Sequence, residues 1–228
     1  MYNVNREDIF YHFSNMFKSD NGYGNTMRLD DTRPSHYWFR RMIHVSGACT
    51  LVYYLYPDNI LWIYILKIAI ILTILISAVI VEGLRLCNRL DEGFLFPFRS
   101  YETKKVGAYI WFCISISMLL LLFPQQIAGP CILTSCFGDP LIGELKKKNH
   151  VLSVIAGVSA CFCIFLIFNY HAHIALFAAL IGVVSEGIKS KKIDDDFLMP
   201  MTPAIVIYVL TLLGIIPLPE ILITPFSV

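Results

Sequence analysis

All but one of the 18 Lys and Arg residues lie in every second hydrophilic stretch between long apolar runs. The apolar runs are Asn59–Val81, Val106–Phe123, Val151–Phe168, Ile174–Val184 with its flanks, and Pro203–Ile223, with shorter ones at Met42–Tyr56 and Ile127–Gly143. A helix needs about 20 apolar residues to cross a hydrocarbon core of roughly 30 Å. Basic residues collect in the segment before Met42, between Glu82 and Lys105, at Lys146–Lys148 and at Lys189–Lys192. The intervening stretches near Asp58, Gln125 and Tyr170 carry none, and only Lys67 lies inside a run. Basic residues stay on the cytosolic side. The alternation therefore predicts an all-α integral membrane protein of about seven transmembrane helices, N-terminus cytosolic and C-terminus on the opposite side.

Two parts follow: a polar cytosolic segment over 1–41 and a polytopic membrane domain over 42–228. The first has no signal-peptide pattern, and Ile9, Phe10, Phe13, Met16 and Phe17 would share one face of a surface helix. In the second, Ser46-Gly47-Ala48 supplies small residues for close helix packing, and Pro130, Gly138 and Pro140 predict a bent or broken short span.

Composition narrows the function. Charged residues make up 15% of the chain, against roughly 25% in soluble domains. A net charge of +1 gives no field for a nucleic acid polymer. The seven cysteines form neither CxxC nor a zinc-type spacing, and those inside apolar runs read as small hydrophobes. P-loop, GxGxxG, HExxH and GxSxG motifs are absent.

The remaining candidates are ionisable groups where spans meet water, which are costly at membrane depth. Glu82, Arg85 and Arg89 share a helix face. Either Glu82 and Arg85 form an intrahelical ion pair, or the arginines meet phosphates. Gly138-Asp139-Pro140 offers either a helix N-cap with Pro at the first position or a carboxylate for a divalent cation on a nucleotide phosphate. Asp194-Asp195-Asp196 is either a solvated turn or a site for a hard cation. Lys146–Lys148 suits topology or anionic lipid, and His44 sits beside Arg40 and Arg41 at the mouth of the first span.

In order along the chain, Arg40-Arg41-Met-Ile-His44, Glu82-Gly-Leu-Arg85 with Asn88, Glu102-Thr-Lys-Lys105-Val-Gly107-Ala-Tyr109, Phe123-Pro124 before Gly138-Asp139-Pro140-Leu-Ile-Gly143, and Glu186 before Asp194-Asp195-Asp196-Phe-Leu-Met-Pro200 resemble motifs of the dolichol kinase, phytol kinase and CTP-dependent diacylglycerol kinase family. That family is related to the phosphatidate cytidylyltransferases. The resemblance runs from about Arg40 to Pro203 and departs from the family twice. Lys146-Lys147-Lys148 stands at a different spacing from Gly157, and Asp196 replaces an Asn.

The resemblance implies a CTP-dependent lipid kinase that moves the γ-phosphate of CTP to the hydroxyl of a polyprenol, phytol-like alcohol or diacylglycerol, using Mg²⁺ or another divalent cation. The alternatives are a phosphatidate cytidylyltransferase, or a non-catalytic transporter or scaffold. Asp139, Glu102 and His44 take the catalytic roles. Arg41, Arg85, Asn88, Lys105 and Gly138 bind nucleotide and phosphate, and Asp139, Glu186 and Asp195 hold the metal. The implied setting is a multi-pass protein of the prokaryotic cell membrane or the eukaryotic endoplasmic reticulum, among membrane lipids, with its site facing the cytosol.

Overall fold

A computed structural model describes residues 41–87, 89, 106–188 and 193–226, and every regular element among them is helical. The polar segment before residue 41, together with Asn88, Glu102 and Lys105, lies outside the described residues. In chain order come α1 (41–46), a 3₁₀ segment Gly47–Leu55, α2 (Leu61–Leu86), α3 (Ala108–Leu122), α4 (Gln125–Leu133), a π-helical turn Thr134–Gly138, α5 (Asp139–Lys146), α6 (His150–Ile167), α7 (Ala172–Glu186) and α8 (Asp195–Leu212). Of these, α2, α6 and α8 are long and apolar enough to cross a membrane, and α3 and α7 are shorter apolar helices of 15 residues each.

The short run Met42–Tyr56 gains reach by winding tightly. A 3₁₀ helix rises about 2.0 Å per residue against about 1.5 Å for an α-helix. Its nine residues therefore extend about 18 Å instead of roughly 14 Å. The close contact that this segment makes begins at Gly47, where an added Cβ would stand 2.6 Å from the Phe112 ring and 2.9 Å from Cys136 Sγ.

Of the bent or broken span expected around Gly138-Asp139-Pro140, the break is absent, and a π turn distorts the helix there instead. Gln125 to Lys146 runs as one helical rod through α4, the π turn and α5. Pro140 has no N–H, and its ring would strike the carbonyl four residues back in an α-helix. The π turn widens the backbone at that point, a device common at functional sites. Asp139 accordingly has helical angles (φ −59°, ψ −51°) and does not act as an N-cap. At the other end of the chain the helix expected over Pro203–Ile223 starts earlier, at Asp195, because Asp194 Oδ1 caps it by accepting from the Asp196 N–H at 3.3 Å. It stops at Leu212, followed by Gly214 at φ +72°.

Pro130 and Pro200 each leave a carbonyl without its usual intrahelical donor, and a hydroxyl from elsewhere in the fold meets each one. Pro130 leaves the Gln126 carbonyl, which accepts from the Tyr170 hydroxyl at 3.0 Å. Pro200 leaves the Asp196 carbonyl, which lies 3.4 Å from Ser115 Oγ, while the same hydroxyl donates to the Phe112 carbonyl at 2.9 Å. In an apolar medium such groups must be satisfied inside the protein.

Packing centres on α8, which touches α3, α4 and α7, while α6 lies between α5 and α7. Small residues bring these helices close: a Cβ on Gly157 would stand 2.4 Å from Ile142 Cγ1, and Ala175, Ala178 and Ala179 are buried along α7. The main core joins Phe112, Leu119, Ile127, Ile132, Phe165 and Ile207. By contrast α2 exposes Leu61, Trp62, Ile65, Ile70 and Ile74, as a lipid-facing helix does. Lys67, near its start, sends its ammonium back to the end of the bundle. There it meets Asp58, donates to the Tyr56 carbonyl at 3.0 Å and stands 4.0 Å over the Tyr53 ring, a snorkelling side chain.

Candidate functional site

Three segments far apart in sequence deliver polar side chains to one point. α1 contributes His44, α5 contributes Asp139, and the first turn of α8 contributes Asp196. His44 Nδ1 lies 3.8 Å from Asp139 Oδ2, and His44 Nε2 lies 3.7 Å from Asp196 Oδ2. One donor atom from each of the three falls within 4.8 Å of the others. The imidazole and the Asp196 side chain are 9% and 6% exposed, whereas Asp139 is 21% exposed. Asp139 is thus the member that a ligand can reach.

The local sequence explains the convergence. α1 runs antiparallel to the α5 rod: Arg41 lies beside Gly143 and Glu144, His44 beside Asp139, and Gly47 beside Cys136. Gly138 allows the rod to sink inward, since a Cβ there would stand 2.9 Å from Met199 Cε and 3.0 Å from Cys161 Sγ. Phe112 packs on the His44 ring, with centroids 4.6 Å apart. Ser115, one turn further along α3, bonds the Phe112 carbonyl and approaches that of Asp196.

Two carboxylates flank the one imidazole. One imidazole nitrogen with two carboxylate oxygens is a donor set that suits a divalent cation, with the imidazole extending the choice from magnesium toward manganese or zinc. Around this point stand Arg41, 3.7 Å from Glu144, Lys147, 3.6 Å from Glu144, and Lys146, 3.1 Å from Glu186. Asp195 lies in a second carboxylate group with Asp194 and Asp196.

Glu82 and Arg85 form a separate centre. Arg85 Nε and Nη2 donate to the two Glu82 oxygens at 2.8 and 2.6 Å. The Gly107 N–H and the Tyr109 hydroxyl donate to the same carboxylate at 2.6 and 2.8 Å. The intrahelical ion pair is therefore present, and it also fastens α2 to the start of α3. Tyr109 and Phe112 are one turn apart on α3, so the two centres contact neighbouring turns of that helix.

Of the residues expected from sequence, His44, Asp139, Gly138 and Arg41 come together on α1 and the rod. Arg85 pairs with Glu82, and Glu186 pairs with Lys146. In sequence Asp196 reads as part of the Asp194–Asp196 run and as a departure from a family Asn, with Asp195 the metal ligand of that run, yet Asp196 is the carboxylate facing His44. A signal for it existed. Asp196, Met199, Pro200, Pro203, Ala204 and Ile207 are buried at helical spacing, so Asp196 begins the inward face of α8, whereas Asp194 and Asp195 do not lie on it. Compared with known proteins, the chain matches no family model, no curated sequence and no solved structure.

Proposed function

We propose that this chain is a CTP-dependent lipid kinase of the membrane, transferring the γ-phosphate of CTP to the hydroxyl of a long-chain lipid alcohol. The observation that carries the reading is the meeting of His44, Asp139 and Asp196, which come from three of the motifs that resemble the dolichol kinase, phytol kinase and diacylglycerol kinase family. In this reading the chain crosses the bilayer seven times with its N-terminus in the cytosol, and Lys146–Lys148 share the cytosolic side with the site.

Phosphoryl transfer needs positioning and charge neutralisation more than covalent chemistry from the protein. Asp139 and Asp196 would hold a divalent cation, with Asp195 beside them. When bound, that cation neutralises charge on the triphosphate. Arg41 sits at the cytosolic rim to meet phosphate oxygens. His44 orients the lipid hydroxyl and takes its proton as the oxygen attacks the γ-phosphorus. The new O–P bond forms as the bond to the β-phosphate oxygen breaks, and CDP leaves. Glu102 keeps the catalytic role, and Asn88 and Lys105 the nucleotide- and phosphate-binding roles, that the resemblance implies.

The test uses purified full-length protein with γ-labelled CTP, Mg²⁺ and a panel of lipid alcohols, beside Asp139→Asn. We expect label in an organic-phase lipid and its loss, by at least about 100-fold, in the variant, with the folded fraction unchanged. Pyrophosphate release with phosphatidate, and no labelled alcohol, would replace the kinase by a cytidylyltransferase. Silence in both assays from folded protein would leave a transporter or scaffold.

A further inference from the structure

The seam between α1 and the α5 rod has two unlike flanks. On one, Gly138 abuts Met199 and Cys161, and Ile142 abuts Gly157, so α6 and α8 close it. With two right-handed helices antiparallel and in contact at Arg41, His44 and Gly47 against Gly143, Asp139 and Cys136, Val45 and Phe137 fall together on the opposite flank. Both are exposed, as are Met42 and Leu141 behind them. The open flank is therefore apolar on both lips, with the partly exposed Asp139 between them at the seam.

An occupant that touches both lips and the carboxylate is amphiphilic: a hydrocarbon chain ending in one small polar group. A nucleotide does not suit apolar lips, and the charged rim of Arg41, Lys146 and Lys147 lies at the cytosolic end of the same seam. We infer that the flank bordered by Val45 and Phe137 is a lateral port, through which the acceptor lipid enters from the bilayer with its chain against these residues and its hydroxyl reaching His44 beside Asp139. The inference rests on the lipid-acceptor reading above and adds where the acceptor docks. It assigns chain recognition to α1 and α5, and leaves the exposed apolar face of α2 to bulk lipid.

The experiment installs a photoreactive benzoylphenylalanine singly at Val45, Phe137, Ile74 or Ile205 of the full-length protein in phosphatidylcholine nanodiscs. Ile74 and Ile205 are exposed on α2 and α8 and serve as bulk-lipid controls. The probe is a tritiated long-chain polyprenol, with tritiated diacylglycerol in parallel. We expect several-fold more crosslinking at Val45 and Phe137 than at the controls, saturable and displaced by the unlabelled alcohol. Equal labelling at all four positions, or seam labelling that excess alcohol does not displace, would overturn the port. Crosslinking is read without CTP, so the two readings separate. Saturable seam labelling without phosphate transfer upholds the port and removes the kinase, and transfer without seam labelling does the reverse.

Discussion

Four hydrogen bonds converge on Glu82, two from Arg85, one from the Gly107 N–H and one from Tyr109. Removing one member of a buried ion pair leaves the other charge uncompensated, at a cost of about 3–5 kcal/mol. Arg85→Leu should therefore lower thermal stability in detergent sharply, and Glu82→Gln should do the same, because its one amide oxygen can replace only one of the two carboxylate oxygens that accept from Gly107 and Tyr109, and the Arg85 charge loses its partner. Thermal unfolding followed by tryptophan fluorescence checks both; equal, small effects would show that the pair contributes little. Ser115 has a different role at the same scale. Its hydroxyl lies between the Phe112 and Asp196 carbonyls, so it ties together the ring packed on His44 and the turn that carries Asp196.

Among the elements, the proline-bearing helices make the most specific prediction. Tyr170→Phe should cost about 1–3 kcal/mol by leaving the Gln126 carbonyl unsatisfied. Pro130→Ala supplies a backbone N–H that can serve that carbonyl, so Tyr170→Phe should cost clearly less in the Pro130→Ala background. A double-mutant cycle on thermal stability measures the difference, and simple additivity would refute the pairing. Gly157 makes a blunter one. A leucine there meets Ile142 in the α5–α6 contact, and overpacking of this kind costs about 1–3 kcal/mol.

How far these elements could be read beforehand depends on the signal each one uses. Apolar length found α2, α3, α6 and α7 almost whole, since hydropathy sums over many residues. Local breakers misled at Pro140, where a π turn absorbs the proline, and at Asp194, where a cap begins α8 before its apolar part. His44 and Asp139 were legible because charge in an apolar run is conspicuous. Asp196 was hidden among three acids, and only the burial of Met199, Pro200 and Pro203 behind it marks which one turns inward.

For the whole molecule, the charge asymmetry of the loops makes a prediction about orientation. Among the described residues, Arg41, Arg85, Arg89 and Lys146–Lys148 lie at one end, and Lys67 turns toward the other. With the native cysteines replaced, Asn169→Cys should react with a membrane-impermeant thiol reagent on intact cells, and Asn149→Cys only after permeabilisation. The reverse pattern would invert the proposed topology and put the site away from cytosolic CTP. The same asymmetry shows why the candidate site was only partly legible: sequence sorts residues by side of the membrane, but not by which of them meet there.

α3 and α7, each of 15 residues, have one further consequence. They measure about 22 Å, some 8 Å less than an average hydrocarbon core. Under the proposed seven-span topology, lipids beside them thin to match, at a fraction of a kcal/mol per ångström. Shorter-chain bilayers should therefore hold this protein more firmly than long-chain ones.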